Sequence, residues 1–129
     1  MCQILRPLAH LDEMHYVAQC EHGTVTLFWN ATGWYFDSLE YERFAGFLET
    51  AALSEQESVR EGSLVLVRHD GRTRVWYGEA GLNLNQIDFE RFCRLIRQSV
   101  SQMMPSSLNT PLRRLRNGER EKQILGILN

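Results

Sequence analysis

The order of hydrophobic and polar positions predicts strands followed by a helix, and it does so twice along the chain. Residues 24–29 and 72–77 alternate in side-chain character and are rich in β-branched and aromatic residues, as is typical of strands. Shorter strands are predicted at 15–20, 34–36, 64–67 and 82–84, with turns rich in Gly, Asn and Asp between them.

Each group of strands leads into a stretch with apolar residues at helical spacing, which predicts one helix per group. Asp37 followed by Glu40 has the sequence of a capping box, and Asn85 is the predicted cap of the second helix. The residues expected to face inward are Leu39, Phe44, Phe47, Leu48 and Ala51 on the first helix, and Ile87, Phe92, Leu95, Ile96 and Ser99 on the second.

The two groups also match position by position. Residues 15–52 align with residues 63–100 without a gap, and this alignment pairs Gly33 with Gly81 and Phe44 with Phe92. We therefore predict an α+β fold in which two tandem βββα repeats, related by a pseudo-twofold axis, form an antiparallel sheet with both helices on one face. The sequence leaves open whether that sheet is continuous or split in two.

The chain divides into a predicted body and a basic tail. Residues 1–104 are expected to form a single domain that contains both repeats, and residues 105–129 to form a C-terminal tail that is helical in part. The tail carries five basic and two acidic residues, whereas the whole chain has a net charge of −2. The body is therefore acidic, and the tail complements it.

The composition of the chain bears on nucleic-acid binding, membrane association and disulfide content. The net charge of −2 gives no general attraction to nucleic acid or to an acidic membrane surface. No apolar run is long enough to cross a bilayer, and the N-terminus lacks the pattern of a signal peptide, so we expect a cytoplasmic location. Three widely spaced cysteines do not make a disulfide framework, and we expect reduced thiols.

Strand alternation places arginine and aromatic side chains on the outer face of the predicted sheet, away from the helices. This face and the tail supply the predicted partner-binding residues, which are Phe28, Arg72, Arg74, Trp76, Arg113, Arg114 and Arg116. Such a face can be merely solvated, can contact a second copy or another protein, or can stack on bases. We expect a non-enzymatic interaction module that forms a homodimer or binds another protein, and we rank nucleic acid last.

A metal site is the alternative hypothesis. Cys20 and His22 lie two apart at one predicted turn, and His69 and Asp70 occupy the matching turn of the second repeat. Zinc takes such ligands in tetrahedral sites, although a half-buried cysteine and a surface histidine would look the same in sequence. The chain has no phosphate loop, dinucleotide fingerprint, nucleophile elbow or HExxH motif, so we predict no catalytic residue and no cofactor.

Several short segments carry a resemblance to a protein family. They are Met1-Cys2, the segment 16–20 that ends in Cys20, the apolar segment 24–30 and the helix opening at 39–44. On these segments the chain resembles an uncharacterised family of short bacterial proteins, and this resemblance implies a bacterial source but no activity. In that family a second cysteine often follows the position of Cys20. Here Glu21 and His22 follow it instead, which weakens a metal role by analogy.

Overall fold

The computed structural model describes residues 3–103 and two short strands of the tail. The first half contains β1 (Leu5–Asp12), β2 (His15–Cys20), β3 (Val25–Trp29), β4 (Thr32–Phe36) and α1 (Ser38–Leu53). The second half contains β5 (Ser58–Glu61), β6 (Leu64–His69), β7 (Arg72–Tyr77), β8 (Ala80–Asn85) and α2 (Gln86–Gln102). In the tail, β9 (Arg120–Glu121) and β10 (Gly126–Ile127) pair in parallel.

The strands form two antiparallel sheets, so the predicted α+β class is confirmed. Sheet A has the order β1-β2-β3-β4 and sheet B the order β5-β6-β7-β8, each with four strands. The predicted repeats, at 15–52 and 63–100, had three strands each, and β1 and β5 each lie just before one of them. Both are mostly exposed edge strands. Each is held by backbone hydrogen bonds to the neighbouring strand. The alternation of side chains along the sequence does not reveal that kind of pairing.

The hairpin turn between β6 and β7 and the N-cap of α1 are as the sequence predicts. Asp70 and Gly71 form the two-residue loop between β6 and β7, and both have positive φ, 53° and 74°, as a type I′ hairpin requires. At the start of α1, Asp37 Oδ1 accepts from the Glu40 N–H at 2.7 Å, while the Asp37 N–H donates to Glu40 Oε1 at 3.0 Å. The predicted capping box is therefore confirmed.

Both helices contribute to one core. α1 packs against β4 and β6, and α2 packs against β1 and β2 of sheet A as well as β7 and β8 of sheet B. Phe44 on α1 and Phe92 on α2 are fully buried in a single hydrophobic cluster that includes residues from both sheets. Neither of these helices is long and apolar enough to cross a membrane.

Two residues predicted to face inward do not. Leu39 is 48% exposed and Ile87 is 69% exposed, so these two assignments are wrong. The buried apolar residues begin instead at Tyr41 on α1 and at Phe89 on α2. Residues two apart on a helix point to nearly opposite sides, so a stripe that contains Tyr41 turns Leu39 outward.

A buried hydrogen bond joins the helices. The Tyr41 hydroxyl lies 2.5 Å from Ser99 Oγ, and Ser99 Oγ donates to the Ile96 carbonyl at 2.7 Å. Because the Ser99 hydroxyl already donates its hydrogen to that carbonyl, the Tyr41 hydroxyl is the donor to Ser99. Burial raises the pKa of the Tyr41 phenol, so the hydroxyl stays protonated and available for this bond.

The predicted helical tail falls largely outside the described residues. Arg113, Arg114 and Arg116 belong to that part of the chain, so their predicted role in partner binding stays a prediction. Met103, which directly follows α2, is the last described residue of the body and is buried in the core cluster.

The inward and outward positions of the helices predict a sharp contrast in stability. Phe44→Ala and Phe92→Ala each remove a fully buried ring and should lower the free energy of unfolding by about 3–5 kcal/mol. Leu39→Ala and Ile87→Ala, at exposed positions of the same helices, should change it by less than about 0.5–1 kcal/mol. Urea denaturation of the four variants measures both effects. A comparable loss in Leu39→Ala would contradict the placement of the buried stripe.

Candidate functional site

The outer face of sheet B carries three of the predicted partner-binding residues. Along β7, Thr73 and Val75 are buried and point into the core, so Arg72, Arg74 and Trp76 point away from it. Residues of the neighbouring strands that share this direction follow from the pairing register. They form two rows across the sheet, namely Arg60, Val65, Trp76 and Gly81, and next to them Ser58, Val67, Arg74 and Asn83.

The middle of this face is apolar and its surroundings are cationic. Val65 and Val67 are half-buried on β6 beside Trp76, which is 38% exposed. The cations around them are Arg60, Arg72 and Arg74. Among the outward positions of the four strands β5 to β8 there is no carboxylate. The face is therefore locally positive on a chain whose net charge is negative.

Two contacts hold this face in shape. Arg72 Nε donates to Asn83 Oδ1 at 2.9 Å and Arg72 Nη2 donates to the Asn83 carbonyl at 3.3 Å, which fixes the guanidinium on the neighbouring strand. Trp76 lies on Gly81. A Cβ at Gly81 would lie 2.6, 2.7 and 2.8 Å from three adjoining ring atoms of Trp76, so one ring face covers the glycine. The indole is thus held by the sheet while it remains partly open to solvent.

Phe28, the fourth residue predicted for this site, lies on β3 of sheet A and is not grouped with the other three. Its ring stacks on Tyr16 at a centroid distance of 5.2 Å and an interplanar angle of 23°. Tyr35 on β4 shares this outer face of sheet A and is 68% exposed. Sequence reasoning missed Tyr35, although its position between the apolar Trp34 and Phe36 would have identified it as an outward residue.

The residues of the metal hypothesis are only partly brought together. Ligand atoms of Cys20, Glu21 and His22 all lie within 4.8 Å of one another at the turn after β2. His69 and Asp70 are not part of that cluster and instead contact each other at 3.2 Å in the β6–β7 turn. The prediction of reduced thiols is wrong for Cys20, which is disulfide-bonded, whereas Cys93 is free.

A groove between the two helices is a further feature that the sequence did not predict. It has a volume of about 520 Å³ and is lined from α1 by residues such as Glu42 and Gly46, and from α2 by Cys93 and Arg97. Burial raises the pKa of the Glu42 carboxyl. Burial also raises the pKa of the Cys93 thiol to about 11, with Arg97 and Arg68 acting in the opposite direction. A thiol in this state is a poor nucleophile, which argues against a catalytic cysteine here.

The thiol of Cys93 should therefore react slowly in the folded protein. With a pKa of about 11, only about 1% of the thiol is ionised near pH 9, against most of an unperturbed cysteine. Alkylation by iodoacetamide, followed by peptide mapping, should be roughly fifty-fold slower than in urea-unfolded protein and should accelerate as the pH approaches 11. An alkylation rate at Cys93 that already levels off near pH 8 would contradict the raised pKa.

The close approach of Trp76 to Gly81 predicts that Gly81→Ala and Gly33→Ala differ in their effect on stability. In Gly81→Ala the new methyl group must displace the Trp76 ring, which should cost about 1–3 kcal/mol of stability and change the tryptophan fluorescence. Gly33→Ala is the matched control, since its Cβ would lie 3.7 Å from Phe28, an ordinary contact. Equal effects in the two variants would show that Trp76 does not rest on Gly81.

Comparison with known proteins gives no relative to reason from: no family model, no curated protein and no solved structure matches this chain.

Proposed function

We propose that this protein is a non-enzymatic interaction module that binds an acidic surface of another protein through the outer face of sheet B. The observation that carries the proposal is the arrangement on that face. Trp76 and two valines form an apolar centre, arginines surround it, and the outward positions of the sheet hold no carboxylate.

This arrangement has the anatomy of a protein interface. Such interfaces combine a desolvated apolar centre with a polar rim, and tryptophan and arginine are the residue types most enriched among their energetic hot spots. Trp76 is already ordered on Gly81, and Arg72 is already ordered by Asn83, so binding would cost little side-chain entropy at these positions. The aliphatic side chains of Val65 and Val67 favour a partner with apolar groups.

The same charges argue against a symmetric dimer through this face. In an isologous contact about a twofold axis, each surface meets a copy of itself. Arg60, Arg72 and Arg74 would then face arginines with no carboxylate on the same face to separate them. Like-charge juxtaposition of this kind is unfavourable, so the predicted self-association is not the form of binding that we propose here.

Single-stranded nucleic acid is the second candidate, and one observation favours it. An indole held flat on the sheet among arginines resembles the stacking platforms on which bases lie. The stacked pair of Phe28 and Tyr16 on sheet A is a second aromatic surface of the same kind. Against this candidate stands the net charge of the chain, −2, which does not steer a polyanion toward the protein.

We also propose that the two halves are tandem repeats related by a pseudo-twofold axis. The support is that aligned residues occupy matching environments. Phe28 is the nearest neighbour of a Cβ at Gly33, as Trp76 is at Gly81. The alignment likewise pairs the two helix caps, Asp37 and Asn85, each of which accepts from the backbone N–H three residues on.

The proposed function predicts that two substitutions weaken binding without unfolding the protein. The probe is a fluorescein-labelled random copolymer of glutamate and tyrosine, which offers both carboxylates and apolar groups, and the measurement is fluorescence anisotropy. Trp76→Ala and Arg74→Glu should each weaken binding by roughly tenfold or more. Tyr35→Ala, which removes an exposed aromatic ring from sheet A, is the matched control and should bind as the wild type does.

Other outcomes redirect or reject the proposal. Tighter binding of labelled oligothymidylate than of the copolymer, with an affinity that falls steeply with salt, would favour the nucleic-acid candidate. A dimer in light scattering that dissociates in Trp76→Ala would favour self-association. Equal copolymer binding by wild type, Trp76→Ala and Arg74→Glu would remove the outer face of sheet B from the function.

A further inference from the structure

The groove between the two helices is built largely from small side chains. Its α1 wall includes Ala45, Gly46 and Ala52, and its α2 wall includes Cys93 and Val100. A Cβ added at Gly46 would have no neighbouring atom within 4 Å, so the glycine leaves open space at this point of the groove. The volume of about 520 Å³ lies within the range of roughly 300–1,000 Å³ that is typical of small-molecule sites.

The charged side chains that line the groove are not balanced. Glu42 and Glu49 come from α1 and Arg97 comes from α2, so the lining carries an excess of negative charge. Burial raises the pKa of the Cys93 thiol and Arg97 acts against that shift, which places the guanidinium near the sulfur. Within residues 3–103, Arg97 forms no ion pair with either carboxylate. The groove is therefore electrostatically complementary to a cation.

Glu42 is the carboxylate of this lining that lacks a partner although it is half-buried. Among the described residues, no hydrogen-bond donor and no cation contacts its oxygens. Burial raises the pKa of the Glu42 carboxyl, because the ionised form loses water and no nearby charge replaces it. Other acidic residues of the helices are engaged, since Glu40 accepts from the Asp37 N–H and Asp88 contacts Arg91. A cation placed beside Glu42 would supply the interaction that its carboxylate lacks.

The groove is long enough for a ligand with both a charged and an apolar part. Glu42 lies at one end of the α1 wall, and Leu53, which is 83% exposed, lies at the other. A helix rises by about 1.5 Å per residue, so these two residues are about 16 Å apart along the axis. Glu49 lies between them but is exposed, so its carboxylate keeps its water. The desolvated charge is thus at the Glu42 end, and apolar surface extends away from it.

We propose that the groove between α1 and α2 binds a small organic cation, an amine whose ammonium group pairs with Glu42 and whose apolar body lies along the small residues of the groove. An ammonium nitrogen offers three hydrogen-bond donors, and hydrogen bonds between two charged groups are stronger than neutral ones. A half-buried carboxylate also attracts a cation more strongly than an exposed one does. The site is separate from the outer face of sheet B, so it does not depend on the proposed interaction function.

The test titrates the full-length protein with dansylcadaverine, an apolar fluorophore joined to a primary ammonium group. Its emission should rise and shift to the blue on binding, with one probe bound per chain. The acetylated probe, in which a neutral amide replaces the ammonium group, should bind at least tenfold more weakly. Glu42→Gln should weaken binding of the amine at least tenfold and leave binding of the acetylated probe unchanged. Glu61→Gln, at an exposed carboxyl of β5, and Trp76→Ala, on sheet B, should bind the amine as the wild type does.

A second variant tests the space rather than the charge. Gly46→Leu should fill the groove and weaken binding of both probes at least tenfold. Leucine is a better helix former than glycine and meets no atom at its Cβ, so the urea midpoint should not fall and lost binding would not reflect unfolding. Thr50→Leu adds the same side chain at an exposed position of α1 outside the lining and should keep binding.

Four results would overturn the proposal. Equal affinity for the amine and its acetylated form would show that no carboxylate selects the ligand. Unchanged amine binding in Glu42→Gln or in Gly46→Leu would place the probe elsewhere. Tighter binding of the anionic probe dansylglycine would assign the groove to Arg97 and to acids. Binding of a helical peptide of lysine and leucine that is lost in Gly46→Leu, with no binding of the amine, would make the groove a peptide-docking site instead.

Discussion

The structure depends on a single core to which both halves contribute. Phe92 on α2 packs edge-to-face on Trp29 of sheet A, with ring centroids 5.3 Å apart, and Phe36 of sheet A lies 4.5 Å from Tyr77 of sheet B. Aromatic rings bury large areas and favour such contacts, so these crossings account for much of the cohesion between the halves. The buried bond between Tyr41 and Ser99 adds a directional constraint, because an unpaired phenol at this depth would be costly.

This shared core determines where binding can occur. The inner faces of both sheets and the buried stripes of both helices pack in the core and are not available for binding. Among the described residues, the surfaces that remain are the outer sheet faces, the groove between the helices and the turns at the strand ends. The outer face of sheet B differs from the others in combining an ordered indole with arginines, whereas the helix groove contains a carboxyl and a thiol whose pKa values are raised by burial.

Features set by neighbouring residues could be predicted from the sequence, and features set by distant ones could not. The capping box at Asp37 and the hairpin at Asp70 depend on residues within one turn of chain, and both are as expected. The inward face of each helix was misjudged at its first turn, where Leu39 and Ile87 are apolar but exposed to solvent. The edge strands β1 and β5 exist because β2 and β6 offer backbone partners, which is information from another part of the fold.

In the candidate sites, too, features set by neighbouring residues could be predicted from the sequence and features set by distant residues could not. A period of two along β7 was enough to place Arg72, Arg74 and Trp76 on one face, since alternation is a local property of a strand. Alternation assigns a residue to a face but not to a sheet, which is why Phe28 was grouped with residues that lie on the other sheet. The surroundings of Cys20 required still more, because its neighbours come from the N-terminal residues that Glu21 holds in place. Spacing along the chain revealed the pair of Cys20 and His22, but it did not reveal the hydrogen bonds from Gln3 and Ile4 to Glu21, which join the start of the described chain to the same turn.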